Sequence, residues 1–303
     1  MSTITTGSFP KLLWPGIKTI WGNEYSQHQK EYEQLFDMDS SDQAYEEDVL
    51  VPGFGLAPQK TSGASTIYDS HQQGYTKRYT HVNYSLGYIV TEEEMDDNLY
   101  AKVGADRTRS LAFSFATTKN IVGANVYNNG FDNNFTGGDG LELFSTAHTS
   151  QAGNQSNELA TAADLSEAAL EDLSIQIMKA KNDRGLEIAL RPICLITPVD
   201  LYYEAQRILK STLQSDSANN DINALKTSGI IPKIVTNHYL TDVDAFFIRT
   251  NIPSNTGMKC YQRKAISFTQ DNDFDTSNFK AKAQERYAFG WTDWRGAFGS
   301  PGA

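Results

Sequence analysis

The tetrapeptide Thr91-Glu92-Glu93-Glu94 commits a large part of this chain to helix. Thr91 can accept from the amide of Glu94 while the Glu94 carboxylate reaches back to the amide of Thr91, which satisfies two donors that a helix start otherwise leaves open. Three glutamates also sit well at the positive end of a helix dipole. An apolar stripe follows at Met95, Leu99 and Val103 and resumes at Leu111, Phe115, Thr118, Val122 and Val126, in steps of three and four. Carried to Asn128, it predicts a helix on the order of 55 Å, longer than a small domain is wide. Gly104 and Gly123 are its weak points.

The sequence before this helix is of another kind. Residues 24–48 are polar and increasingly acidic, with apolar contacts only at Tyr25, Tyr32, Leu35, Phe36 and Tyr45, the pattern of an arm or short helix laid on something else. Pro52, Gly53, Gly55, Pro58, Gly63 and Gly74 then deny the next stretch a helix. From Val82 the residues alternate, with Val82, Tyr84, Leu86, Tyr88 and Val90 on one face, which predicts a strand. Pairing of Ala64–Tyr68 with that strand would make a long two-stranded hairpin, marginal in water unless it packs on something. Loops of such length inside compact domains are functional or disordered. A projecting hairpin supported by a neighbouring subunit meets both constraints.

After the helix, Asp164-Leu-Ser-Glu167 opens a second helix with Leu170, Leu173 and Ile177 on its apolar face and Gly185 placed to end it. LEIALRPICLIT reads as a strand that leads into Thr197-Pro198, a cap followed by proline at the first helical position, and a helix to Leu209. Strand-like runs recur at GIIPKIVTN, DAFFIRT and MKCYQRKAISF. In the closing ERYAFGWTDWRGAFGS, Tyr287, Phe289 and Trp291 alternate with Ala288 and Gly290. A terminal strand with that much aromatic surface must be docked. It is expected against the long helix, with Trp294 and Phe298 continuing the contact and Asp293 and Arg295 meeting polar partners across a subunit boundary. The order is α+β, without regular βαβ alternation.

Reaction chemistry finds little footing. His28, His71, His81, His148 and His238 show no HxxxH or HxH pairing, and no nucleophile elbow, dinucleotide turn or phosphate loop occurs. Cys194 and Cys260 are far apart and read as two reduced thiols. GGDG at 137–140 and Asp271, Asp273 and Asp275 tempt a calcium reading, but the second stretch lacks the glycine and the bidentate glutamate of a calcium loop. No cofactor and no metal is expected. A formal net charge of -11 opposes binding to a phosphate backbone. No leader peptide or membrane span is read, and a chain made in the cytoplasm is expected.

Four stretches in order resemble one family: LGYIVTEEEMDDNLY; LFSTAH with LSEAALEDL; RPICLITPVDLYYEAQRIL; and NNDIN with DAFFIRT and RYAFGWTDWRGAFGS. The chain resembles the major capsid (head) proteins of tailed double-stranded DNA bacteriophages with the Hong Kong 97 fold. The resemblance implies an α+β fold with an N-terminal arm (1–50), an extended β-hairpin loop (51–90), a peripheral domain with a long spine helix (91–160), an axial domain (161–270) and a return to the peripheral domain (271–303). It implies hexamers and pentamers of an icosahedral shell in the virion, assembled in the host cytoplasm around DNA that is not read by sequence. A separate scaffolding protein, a portal and decoration proteins are the implied partners, and no membrane is involved. Lys60 and Lys77 lie on the extended loop, where some relatives crosslink. With Tyr79, Asp293 and Arg295 they are the interface candidates, while Thr91, Glu94, Trp291 and Trp294 are expected to be structural. An encapsulin-like nanocompartment shell protein is the alternative on the same fold. A calcium-dependent carbohydrate-binding protein is the alternative from another class, and a hydrolase is the weakest.

Overall fold

A computed structural model describes residues 14–70, 73–91, 93–94, 100–214, 221–254, 256–273 and 278–303. Helix α1 (Trp14–Gln27) and the single turn α2 (Tyr32–Leu35) come first. The apolar residues of this region lay it on the body, in keeping with their pattern in the sequence. Trp21 stacks on Phe268 with ring centroids 5.0 Å apart and meets Phe115 edge-on. Tyr32, Leu35 and Phe36 are buried in the core, and β1 (Asp37–Ser40) pairs in parallel with β8 (Met258–Asn272). From Ile17 onward this region is built into the fold.

The hairpin is also different from the expected one. β2 (Tyr45–Val49) pairs antiparallel with β3 (Thr76–Thr80), so residues 51–75 form one long connection between them. β4 (Val82–Val90) does not pair with Ala64–Tyr68. Its partner is β9 (Phe279–Trp291), in unbroken register from Val82 opposite Tyr287 to Val90 opposite Phe279. The reason lies in β9, whose alternation matches β4 over nine positions and lets Tyr84 stack on Tyr287 at 4.7 Å. The first sheet has the order β1-β8-β9-β4.

Thr91 and Glu94 exchange both expected bonds, each at 3.3 Å, yet α3 spans Tyr100–Asn128, about 43 Å at the usual rise. On one straight helix Glu94 and Arg107 would stand about 20 Å apart. Instead the Arg107 guanidinium holds the Glu94 carboxylate at 2.9 and 3.1 Å and also donates to the Ile89 carbonyl. The capped turn and α3 therefore do not share one straight axis. Met95, Leu99 and the side chain of Val103 lie outside the described residues. Leu111 and Phe115 are buried as expected, but Val122 and Val126 are only partly so. The inward face passes through Lys119, Asn120, Gly123, Ala124 and Tyr127. Small residues are needed there, because a Cβ on Gly123 would lie 3.1 Å from the Tyr32 Cβ.

A second sheet, β10-β7-β5-β6, forms the other half. Its strands are β5 (Pro192–Thr197), β6 (Ile234–Thr236), β7 (Phe246–Thr250) and β10 (Ala297–Ser300), and around it lie α4 (Glu167–Met178), α5 (Tyr202–Lys210) and α6 (Ala224–Ser228). α4 is capped by Ser166, not Asp164: the Ser166 hydroxyl accepts from the Ala169 amide, while Asp164 accepts from the Ala303 amide. It ends at Met178, ahead of Gly185, which takes φ +84° in the following turn. Thr197 is paired with Thr236 as the last residue of β5, and α5 begins only at Tyr202 with Leu201 at the cap position, too far along the chain for Thr197 to cap it.

The halves are interleaved. β8 leaves the second half at Met258, not at 270, and the chain end returns to the second sheet as β10 antiparallel to β7. One continuous core joins Leu35, Phe36, Tyr127, Phe144 and Phe247 to Trp291, Trp294 and Phe298.

Candidate functional site

No reaction centre is assembled among the described residues. His28 stands 3.8 Å from Glu24, His81 bonds Ser41, His148 lies between Asp139 and Asn157, and His238 bonds Glu31, each at a different place in the fold. His71 and Asp275 lie outside the described residues. No group of three or more His, Cys, Asp or Glu side chains among the described residues is arranged to hold a metal ion. Asp139 is engaged by His148 at 2.6 Å, and Asp273 pairs with Lys280. Both cysteines are buried and free, and burial pushes the Cys260 thiol up to about 12, far from a reactive thiolate. No helix among the described residues is long and apolar enough to cross a membrane.

The structure presents a surface instead. The 51–75 connection carries Phe54, Leu56, Ile67 and Tyr68 into solvent, with Leu56 81% and Tyr68 92% exposed. Exposed apolar side chains recur on β4 at Val82, Leu86 and Ile89 and on α3 at Phe113 and Ile121. Single exposed apolar residues need no explanation, but several gathered on one projecting segment mark a contact surface.

The base of this connection is fixed firmly. Cross-strand charge sets the β2–β3 register: Glu47 faces Arg78 and Asp48 faces Lys77, with Arg78 Nε 2.7 Å from Glu47 Oε1. Asp48 then nails the ribbon to the first sheet, accepting from Lys259 Nζ at 2.8 Å, Tyr261 OH at 2.9 Å and Thr292 Oγ1 at 2.8 Å. The sequence reading missed Asp48, although the acidic run Glu46-Glu47-Asp48 matched to Lys77-Arg78 was a usable signal.

The interface candidates fall into two groups. Lys60 is exposed on the loop. Lys77 is half-buried; it donates to the Thr136 carbonyl at 2.7 Å and lies over the Trp291 ring, and burial lowers its pKa. Tyr79, Asp293 and Arg295 are buried inside the subunit, and their polar contacts are with its own residues. Tyr79 packs over Gly290, where a Cβ would come within 2.8 Å of its ring, and shares a hydrogen bond with Thr292. Arg295 is only 1% exposed. Its guanidinium donates to Asp293 at 3.1 Å, Asp183 at 2.8 Å and the Lys181 carbonyl at 2.8 Å, and it lies 4.3 Å from the centre of the Trp294 ring. The polar partners expected across a boundary are supplied by the chain itself. Trp291 and Trp294 are buried as expected, and the Trp294 ring stacks flat on His148 at 4.4 Å.

A second buried charge pair lies under the first sheet. Glu285 is fully buried, and Lys119 Nζ stands 3.5 Å from its Oε2 while making its shorter bond to Gln262 Oε1 at 2.5 Å. Desolvation outweighs the lysine and holds the Glu285 carboxyl above its ordinary range. The folded state therefore binds this proton more tightly than the unfolded chain does. Stability gains as pH falls from the raised folded value toward the ordinary carboxylate value, and the ionised form costs stability above that window. Glu285→Gln is expected to lose this part of the pH dependence. Chemical denaturation of the variant and the parent at a series of pH values checks it, and an unchanged pH dependence contradicts it.

The sequence pattern of a family described as phage capsid protein matches residues 74–299. No curated protein sequence matches the chain. Among solved structures, a virus-like particle from Pyrococcus furiosus is similar at 10% identity with a TM-score of 0.52, over 94% of this chain and 97% of that one. The structure from Microbacterium phage Oxtober96 is similar at 12% identity with a TM-score of 0.51, over 89% of each chain. A phage-related protein from Bordetella bronchiseptica RB50 gives 12% identity and 0.52, over 93% and 95%. Likeness at such identities is likeness of fold, and the fold is the α+β Hong Kong 97 type.

Proposed function

The chain belongs to the phage capsid protein family and is a major capsid structural protein of a bacteriophage head, and we propose that its copies close into an icosahedral shell of hexamers and pentamers around double-stranded DNA. The observation that carries this reading is the 51–75 connection. It is anchored at its base by Asp48 and leaves Leu56, Ile67 and Tyr68 largely exposed. A segment of that build is stabilised by a neighbour, as the extended loop of the fold would be.

In this reading α3 is the spine helix, the first sheet belongs to the peripheral domain and the second sheet to the axial domain. The net charge of -11 suits a wall that must hold DNA without gripping it. Assembly takes place in the host cytoplasm with a separate scaffolding protein, and a portal and decoration proteins complete the head. The likeness to the Pyrococcus furiosus virus-like particle keeps a nanocompartment shell as a second reading on the same fold.

Negative-stain microscopy of the purified chain tests the proposal. Closed particles or ring-shaped capsomers are expected, and monomers at every concentration and with every scaffold would refute it. Particles recovered from infected cells with enzyme cargo in place of DNA would favour the nanocompartment.

A further inference from the structure

The loop that projects from β2 and β3 is not left to find its own direction. Arg184, on the turn after α4, reaches across to it. Its Nη2 donates to Asp69 Oδ1 at 3.0 Å and to the Ser70 carbonyl at 2.8 Å, and its Nε donates to the Gly53 carbonyl at 3.3 Å. The Asp69 carboxylate in turn accepts from the Gly55 amide at 2.9 Å and the Ser70 amide at 2.8 Å. One guanidinium thus gathers both limbs of the loop, near 53–55 and near 69–70, into a single node, a task suited to the planar fork of arginine.

The turn that carries Arg184 is itself rigid. Asn182 Oδ1 accepts from the amides of Arg184 and Leu186, and the Asn182 amide donates to the Leu186 carbonyl at 2.7 Å. From inside, Arg295 holds Asp183 and the Lys181 carbonyl. The direction of the loop is therefore tied, through adjacent residues 183 and 184, to the buried charge cluster at the chain end.

We propose that Arg184 is the positioning residue of the loop: it presets the orientation in which Leu56, Ile67 and Tyr68 are offered to a second copy of this chain. The inference rests on the reading that the loop docks on a neighbouring subunit. An ordered loop loses less freedom on docking than a free one, so the clip lowers the concentration at which copies associate. The Arg184 side chain is partly exposed at the surface, and its removal is expected to leave the body of the subunit intact.

The test compares the full-length chain with Arg184→Ala and Arg184→Lys. Hydrogen exchange is read at the amides of Gly55 and Ser70, the shell-forming threshold by light scattering against concentration, and the body by its melting midpoint. Arg184→Ala is expected to lose protection at both amides and to raise the threshold by about tenfold at an unchanged midpoint. Arg184→Lys falls between, because an ammonium keeps the charge but not the fork. Wild-type chain that forms no shells overturns the docking reading and this inference with it. Wild-type shells with an Arg184→Ala threshold and exchange equal to the parent overturn this inference alone.

Discussion

Arg295→Ala is expected to lose about 3 to 5 kcal/mol of stability, the usual cost of breaking a buried ion pair by removing one partner. The guanidinium is the only cation bonded to Asp293 among the described residues, and it also holds Asp183 and the Lys181 carbonyl. Burial already raises the Asp293 carboxyl above its ordinary range, with Arg295 pulling the other way. Without Arg295 the acid must either be neutral or stand charged in a dry site. Arg295→Lys rescues little, because one ammonium cannot serve three separated acceptors. Arg295→Met combined with Asp293→Asn recovers part of the loss, since an apolar replacement removes the unpaired charge as well. Urea midpoints of the three variants check this, and an Arg295→Ala chain that unfolds with the parent would contradict the whole account of the chain end.

The second large effect concerns association. The loop closes on itself where the Gly74 amide donates to the Leu50 carbonyl at 2.9 Å and the Leu50 amide to the Tyr75 carbonyl at 2.9 Å. The first of these is the bond that closes a two-residue hairpin turn, so residues 51–73 can be replaced by Asn-Gly without disturbing β2 and β3. The shortened chain is expected to fold with the parent's melting midpoint and to form no closed particles. Sedimentation velocity separates the cases: a parent-like particle peak from the deletion variant would show that the loop carries no subunit contact.

Much of this architecture was legible in the sequence where one local signal decides the outcome. The capping box at Thr91 and Glu94 forms as read, because both partners lie within one turn. Tyr287, Phe289 and Trp291 lie in a strand as their spacing implies, but burial alternates only from Phe279 to Tyr287; beyond it Ala288 and Gly290 are buried as well and Phe289 only partly, because both faces of the strand end are covered. The misreadings share a cause, a distant partner that outbids the local one. β4 takes β9 instead of Ala64–Tyr68, and Thr197 stays in β5 instead of capping α5. Arg107 folds the capped turn against α3 where periodicity alone would have run one helix through.

The candidate site was half visible. Punctuation by glycine and proline located the loop, but its anchors, Asp48 and Arg184, meet their partners from residues 114 to 244 positions away. Asp293 and Arg295 looked like surface residues because charged side chains are rarely fully buried unless paired, and the pairing with Asp183 has no sequence signature.

When copies of the chain meet, the loop is expected to dock on the neighbouring subunit. A reconstruction of assembled particles from electron cryomicroscopy images tests it directly. The expected map is a closed shell in which the segment around Leu56 and Tyr68 of each subunit lies buried on its neighbour while Arg295 stays inside its own subunit. Closed particles in which that segment remains in solvent, or contacts only its own chain, would contradict it.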